Sequence, residues 1–351
     1  MIGYLIFFIL LIFFILDGSS IKAKQIKIFV LLVIFASIRD GIGYDYFFYW
    51  ELAKGTSSRE VELIPTYLGI CTSKTNPYLF FLLTSVFIYG LINDGIAFMC
   101  KGNVKNYSLS VILFVCFPFF FANSLSIVRQ FMAIAMLFWG ICRFRNRPLK
   151  FVICLVVASL CHNSAIIGIL FLIPWDKVNK IYLWVIVVLS FLIEMFVFRI
   201  LTFLPNDITL FVRLHQYIEL GDDLFQGGRK IKDLVYLLTF LSLIFYNRLS
   251  KTDDNFKYYI GCVCLGCFFI NVLSISSHTA MRICTYFFIA ILGYFPQLML
   301  CLKMKRSIVT VILILLFSST IYIQHKATRN MRSIDTIETS SVYPYRTILF
   351  K

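Results

Sequence analysis

The stretch VLLVIFASIRDGIGYDYFFYWELAKG, residues 30–55, decides the fold. Its first part is an apolar run that ends at Arg39 and Asp40, and its second part mixes glycines, acids and aromatic residues. Apolar runs recur along the chain, and many are close to the roughly 20 residues that cross a bilayer as a helix. Hydrophobic residues make up 60% of the 351 positions and charged residues only 15%, against about a quarter charged in soluble domains. The sequence therefore predicts an all-α polytopic integral membrane protein.

The apolar runs predict about twelve transmembrane helices in a single membrane domain over residues 1–351, with a C-terminal tail at 322–351. Residues 1–16 lack the basic segment and the small-residue cleavage site of a signal peptide, so we expect a retained span. The runs at 150–161 and 163–174 have hardly any loop between them, which predicts a tight hairpin or a broken helix. The predicted spans are 2–16, 26–38, 77–92, 108–122, 127–142, 150–161, 163–174, 181–198, 233–247, 258–276, 281–300 and 307–321.

Lysine and arginine residues fall in short clusters between the apolar runs, for example at 22–27 and 143–150. Short loops rich in these residues stay in the cytoplasm, so both termini and two long loops, about 39–76 and 199–232, are predicted to be external. The net charge of +15 then reflects membrane topology. We expect no nucleic acid as a partner.

Ionisable residues in or next to a span are costly, which makes each one a candidate functional residue. Arg129 and Arg282 are predicted at outer helix starts, where the guanidinium fork, free N–H groups and the helix dipole suit a diphosphate. Arg129 has no nearby acid in the sequence, which favours an unpaired role with an anionic ligand. The polar residues predicted at the outer face are Arg39, Asp40, Asp45, Arg129, Gln130, His162, His278 and Arg282.

Residues 39–51 resemble a sugar-binding surface, because acids and phenols bond to hydroxyls and flat rings pack on sugar faces. The alternative for the aromatic residues is an interfacial belt of the kind that polytopic proteins share. Arg39 alternatively anchors the end of its helix beside Asp40, and His162 alternatively marks a polar break between helices. The residues predicted for the sugar-binding surface are Asp40, Tyr44, Asp45, Tyr46, Tyr49, Trp50 and Glu51.

Five sequence blocks occur in the order found in one family of membrane enzymes. They are RDGIGYDY (39–46), ELIPTY (62–67), SIVRQFMA (126–133), CHNSA (161–165) and an arginine followed by Tyr-Phe (282–287). Together they resemble the EpsG-like, Wzy-type polymerases of exopolysaccharide and O-antigen repeat units, over roughly residues 30 to 300.

The resemblance implies a polymerase at the outer, periplasmic side of the bacterial inner membrane. It would move a glycan from undecaprenyl diphosphate to the next lipid-linked repeat unit. The implied partners are an undecaprenyl-diphosphate-linked oligosaccharide, membrane lipid and a separate chain-length-determining co-polymerase. With no Asp-x-Asp pair and no carboxylate cluster in the sequence, we expect neither a metal nor another cofactor.

This hypothesis gives each candidate residue a role. Arg129 and Arg282, with Arg39, would stabilise the charge on the departing diphosphate. His162, or else Asp45 or His278, would take the proton of the acceptor hydroxyl. The other predicted substrate-binding residues are Asp40, Tyr44, Tyr46, Glu62 and Gln130.

Two alternative functions are open, and the first belongs to another class. A flippase for the same lipid-linked sugar would also have about twelve spans, but its binding residues should lie near the midplane and its halves are often repeated. An O-antigen ligase would use nearly the same diphosphate chemistry, and only the family blocks speak against it.

Overall fold

A computed structural model describes residues 2–202, 226–253, 255–273, 277–318 and 347–348. These residues are helical almost throughout, and the one pairing of extended backbone among them is an isolated bridge between Arg39 and Thr347. The all-α prediction is therefore confirmed. Residues 203–225 of the second predicted external loop lie outside the described residues, and so does almost all of the C-terminal tail.

The chain forms two compact units, which are described separately: Met1–Leu172 with Thr310–Lys351, and Ile173–Val309. The helices of the first are α1 (Ile2–Leu16), α2 (Ile21–Ser37), α3 (Tyr46–Lys54), α4 (Leu63–Ser73), α5 (Tyr78–Met99), α6 (Val104–Cys116), α7 (Phe121–Ser126), α8 (Val128–Phe144), α9 (Pro148–Cys161) and a 3-10 helix (Asn163–Leu172). The second contains 3-10 helices at Trp175–Lys177 and Ile289–Gly293, with α10 (Lys180–Thr202), α11 (Gln226–Ile244), α12 (Tyr246–Thr252), α13 (Phe256–Val272), α14 (Ser277–Phe288) and α15 (Phe295–Cys301). The last helix among the described residues is α16 (Arg306–Ser318).

A buried lysine closes the hairpin between α1 and α2. The Lys24 ammonium group donates to the carbonyl oxygens of Ile15 at 2.6 Å and of Asp17 at 2.5 Å. The Asp17 carboxylate lies 3.1 Å from the same nitrogen. The last carbonyls of a helix have no partner within the helix, and here a cation from the next helix supplies one.

The predicted loop 39–76 contains the two helices α3 and α4, so it is not an extended loop. Helix α3 ends at Gly55, which has φ +72 and accommodates the left-handed turn that a glycine favours. The two helices pack closely, because a Cβ at Gly69 would lie 2.7 Å from the Leu52 carbonyl oxygen. The Thr72 hydroxyl also donates to the Ala53 carbonyl at 3.3 Å.

The predicted span at 108–122 is interrupted, and the chain turns sharply between the predicted spans 150–161 and 163–174. The run at 108–122 divides into α6 and α7 around Pro118, which lacks the amide that would continue the helix. At the other site, His162 is extended between α9 and a 3-10 helix. The Phe151 and Phe171 rings contact each other at 6.3 Å. The segment after His162 therefore folds back along α9, which selects the tight hairpin over the broken helix.

Helix α5 is long and apolar enough to cross a bilayer, with a mean hydropathy of 1.7. The segments Ala280–Gly293 and Phe295–Cys301, bent by 57°, would together make a second such span. The other apolar helices found among the described residues have 10–17 residues. The twelve spans and the external position of the two loops stay predictions.

Candidate functional site

The Glu62 carboxylate joins three segments that are far apart in the sequence. Its Oε2 atom accepts a hydrogen bond from Nη1 of Arg129. Its Oε1 atom lies 3.2 Å from Nδ1 of His162 and accepts the backbone N–H of Asn163, also at 3.2 Å. The side chain of Glu62 is only 7% exposed. We call these four residues the Glu62 cluster.

Each member of the Glu62 cluster lies where a helix begins or ends. Glu62 immediately precedes α4, and Arg129 is the second residue of α8. His162 is the residue after the last turn of α9. Helix ends leave backbone groups without intrahelical partners, and the side chains there are free to turn towards neighbouring segments. The Asn163 amide is such a group, and Glu62 is its acceptor.

Glu62 is ionised in this setting. Burial alone would raise the pKa of the carboxyl group, but the contacts with His162, Arg129 and the Asn163 amide outweigh burial and lower the pKa to about 2. The ionised group can therefore accept all three hydrogen bonds at neutral pH.

The carboxylate also determines which nitrogen of His162 carries the proton in the neutral ring. An acceptor at 3.2 Å from Nδ1 favours a proton on that atom. The Ser164 N–H donates towards the same nitrogen over a longer 3.4 Å, which by itself would favour the opposite tautomer, but the shorter contact with the ionised carboxylate outweighs it. The favoured tautomer leaves a lone pair on Nε2, and a lone pair there can accept a proton from a substrate hydroxyl.

The guanidinium group of Arg129 has one side towards Glu62 and another towards an aromatic ring. Its carbon lies 5.3 Å from the centre of the Phe48 ring, and its backbone amide lies 3.3 Å from the Tyr49 hydroxyl. The Nε atom is buried and has no hydrogen-bond partner in the part of the chain that the structure describes. Burial raises the pKa of Tyr49 to about 12, so its hydroxyl stays neutral.

The prediction that Arg129 is unpaired is wrong. Glu62 is its partner, and 67 positions separate the two residues. No spacing rule links them along the sequence, because the contact depends on how α4 and the start of α8 are brought together. A carboxylate next to a guanidinium reduces the net positive charge that an anionic ligand would meet.

Arg39, Asp40 and Tyr46 form a packed junction. Arg39 is 1% exposed, donates to the Ala36 carbonyl, and has its guanidinium carbon 4.7 Å from the Phe81 ring centre. The Tyr46 hydroxyl donates to Asp40 at 3.2 Å, and its ring stacks on Phe81 at 4.9 Å. Arg39 thus anchors the end of α2, and the contact with the diphosphate expected of it stays a prediction. The prediction that Tyr46 belongs to an exposed sugar-binding surface is wrong, because this side chain is 2% exposed.

The remaining predicted residues of this unit lie around the same junction. Tyr44 is 52% exposed and its amide donates to the Ser126 hydroxyl at 3.4 Å. Asp45 precedes α3, and its carbonyl accepts the Tyr49 amide at 3.1 Å. Gln130 is buried, with 1% exposure. Direct sugar contacts by Asp40, Tyr44 and Asp45 stay predictions.

Arg282 belongs to α14 in the second unit and is partly buried. The side chain of His278 lies outside the described residues. The joint role predicted for Arg129 and Arg282 stays a prediction. Sequence reasoning overlooked Phe48 and Arg59, although the aromatic residues of α3 and the basic residue after it are visible in the sequence.

Comparison with known proteins identifies the family. The model of the EpsG family matches residues 26–347. Searches of curated proteins and of solved structures each found no match. The family is membrane-associated and is connected with polymerisation of polysaccharide repeat units, an activity of the glycosyltransferase kind. Because the match covers nearly the whole chain, this protein belongs to the EpsG family.

Proposed function

We propose that the protein is a multi-pass polymerase of the bacterial inner membrane that extends O-antigen or exopolysaccharide at the periplasmic face. Its donor would be a glycan on undecaprenyl diphosphate, and its acceptor the next lipid-linked repeat unit. Family membership supports the polymerase class, and the apolar composition supports the membrane location. A chain-length-determining co-polymerase is the expected protein partner.

The Glu62 cluster is the observation that carries this proposal. It places a cation, Arg129, and a base, His162, on the two oxygens of one carboxylate. Glycosyl transfer from a diphosphate needs both groups, because a proton leaves the acceptor while negative charge develops on the leaving group. The side chains of Arg129 and His162 are 15% and 22% exposed, so a substrate can reach each of them.

In the proposed step, the oxygen of the acceptor hydroxyl attacks the anomeric carbon of the donor sugar. Its proton passes to Nε2 of His162 as the bond between that carbon and the diphosphate oxygen breaks. Glu62 stabilises the imidazolium that forms, as a carboxylate does in other carboxylate–histidine pairs. Undecaprenyl diphosphate leaves with the bonding electrons.

Arg129 stabilises the charge on the departing diphosphate, and the sequence prediction gives Arg282 a role of the same kind. Guanidinium groups can do this without a metal, because they present fixed donors and keep their charge. Asp40, Tyr44 and Asp45 lie on the segment before α3 and are proposed to orient the sugars.

The test is complementation of a deletion strain, with lipopolysaccharide separated by size. The deletion should leave core carrying a single repeat unit, and His162→Gln or Arg129→Gln should fail to restore the ladder. Arg147→Gln, which changes an exposed arginine before α9, is the matched control and should restore it. Immunoblots establish equal protein levels.

Other outcomes of the same experiment would contradict the proposal. Bare core with polymer retained on its carrier would indicate a ligase, and repeat units trapped inside the cell would indicate a flippase. A normal ladder from His162→Gln would remove this residue as the base.

A further inference from the structure

Two arginines contact the same aromatic ring at the edge of the Glu62 cluster. The guanidinium carbons of Arg129 and Arg59 each lie 5.3 Å from the centre of the Phe48 ring. The two guanidinium carbons are therefore separated by no more than about twice 5.3 Å. Arg59 comes from the connection between α3 and α4, whereas Arg129 comes from α8. The sequence gives no sign that these residues meet.

The charges of the Glu62 cluster are too nearly balanced to bind a diphosphate, so such a ligand needs a second cation. Arg129 is paired with Glu62, so together they are close to neutral. A lipid diphosphate carries at least two negative charges, and opposite charge within a few ångströms is what holds such a group in a site partly shielded from water. Arg59 is exposed, and none of the ion pairs found among the described residues includes it. Its charge is therefore available to a ligand.

We propose that Arg59 and Arg129, which both contact the Phe48 ring, form a two-guanidinium site for the diphosphate of the lipid carrier. The assignment rests on the proposed function and names a substrate-binding residue for it. One guanidinium engages each phosphate, so the site prefers a diphosphate to a monophosphate. The shared chemistry is a phosphate carried by a lipid, and a phospholipid headgroup is the other possible source.

Phe48 gives Arg59 a defined position before the ligand arrives. A guanidinium over an aromatic face is held by the ring quadrupole and by stacking, and an arginine held in this way loses less freedom when a ligand binds. Lysine keeps the charge but lacks the planar fork and stacks less well. Arg59→Lys should therefore recover only part of what Arg59→Gln loses.

The experiment measures binding of undecaprenyl diphosphate and undecaprenyl monophosphate to the full-length protein in phosphatidylcholine nanodiscs. Arg59→Gln should weaken binding of the diphosphate about tenfold, which is the loss expected from one charge-assisted contact. The monophosphate should lose less than about threefold, because the hydrogen-bond donors of Arg129 remain for a single phosphate even though Glu62 offsets the charge of Arg129. The control Arg147→Gln should bind both lipids as the wild type does.

Phe48→Leu provides a second variant that keeps both charges. It should weaken diphosphate binding less than Arg59→Gln, and the combination of the two should be less than additive because both act on one contact. Wild-type affinity for the diphosphate in Arg59→Gln, or an equal loss for both lipids, would overturn the proposal.

A further arm distinguishes the two sources of phosphate. If Arg59→Gln weakens the binding of phosphatidylglycerol to the protein in phosphatidylcholine nanodiscs but not the binding of undecaprenyl diphosphate, the site is for headgroups and the carrier assignment is overturned. A normal polymer ladder with Arg59-independent diphosphate binding would refute the site alone. A strain phenotype of a ligase or flippase, with diphosphate binding still dependent on Arg59, would refute the polymerase but support the site.

Discussion

Replacing Glu62 with glutamine removes one charge from three contacts while keeping the volume of the side chain. Glutamine has a single oxygen, so it cannot accept from Arg129, His162 and the Asn163 amide together. If its oxygen faces Arg129, its amide nitrogen faces Nδ1 of His162. A donor there requires a lone pair on Nδ1, which moves the ring proton to Nε2. The substitution should therefore weaken the fold and also abolish the proposed base.

The size of the stability effect follows from the pKa. The carboxyl group shifts from 4.5 to about 2 on folding, and each unit corresponds to about 1.4 kcal/mol, which gives on the order of 3 kcal/mol at neutral pH. Partial screening by solvent and one retained hydrogen bond reduce this to about 2 kcal/mol. A loss of that size lowers Tm by roughly 4–8 °C in a domain of moderate size.

The assay is thermal unfolding of the purified protein in detergent, alongside the polymer ladder in cells. Glu60→Gln is the matched control, because Glu60 is exposed two positions away, and it should change stability by less than about 0.5 kcal/mol. Equal Tm values for the two variants would refute the importance of the Glu62 contacts. A normal ladder from a stable Glu62→Gln protein would refute the tautomer argument.

Three further predictions concern pH and packing in the same unit. The folded-state pKa of Glu62 is lowered from 4.5 to about 2, so ionised Glu62 contributes its full stabilisation above pH 4.5. Thermal unfolding in a pH series should show the contribution of Glu62 declining between pH 4.5 and pH 2. Gly43→Ala should cost more than about 2 kcal/mol in thermal unfolding, because φ is +106 and the new Cβ would lie 2.3 Å from the Leu125 carbonyl oxygen. Gly102→Ala is the control, because Gly102 has φ +78 but open space around the new Cβ, and it should cost only about 1 kcal/mol. Equal losses of stability in the two alanine variants would exclude the close contact with Leu125 as the cause. Lys24→Met should lower the free energy of unfolding by about 1–3 kcal/mol, because buried carbonyls at the end of α1 lose their donor; unchanged unfolding would contradict this.

Helix positions were predictable where local signals act. The predicted span 2–16 matches α1, and the predicted span 127–142 matches α8 to within a few residues. Apolar content and helix propensity are properties of neighbouring residues, so both can be read from the sequence. Arg129 and His162 were also recognised as candidates, since a polar residue at the end of an apolar run is visible locally. The sequence could not place Glu62 between them, because that contact depends on tertiary packing.

Hydropathy also fails to distinguish burial in lipid from burial in protein. Tyr46 and Arg39 were predicted at an outer surface, yet both lie in the packed interior against Phe81. In a chain this apolar, periodic polarity is too weak to mark which face of a helix meets its neighbours. The interruption at Pro118 was missed for a related reason, because a hydropathy window averages over a single residue that breaks the helix.

Glu62 has two opposite consequences for the proposed chemistry. It prepares His162 to accept a proton, but it offsets the charge of Arg129 on which the leaving diphosphate depends. A site that uses one carboxylate for both partners must obtain further positive charge from elsewhere. The connection between α3 and α4 contains Arg59 as well as Glu62, so the segment that introduces the negative charge also supplies a compensating cation. This local balance makes the connection, rather than any single helix, the part of the chain on which both acid–base chemistry and leaving-group binding depend.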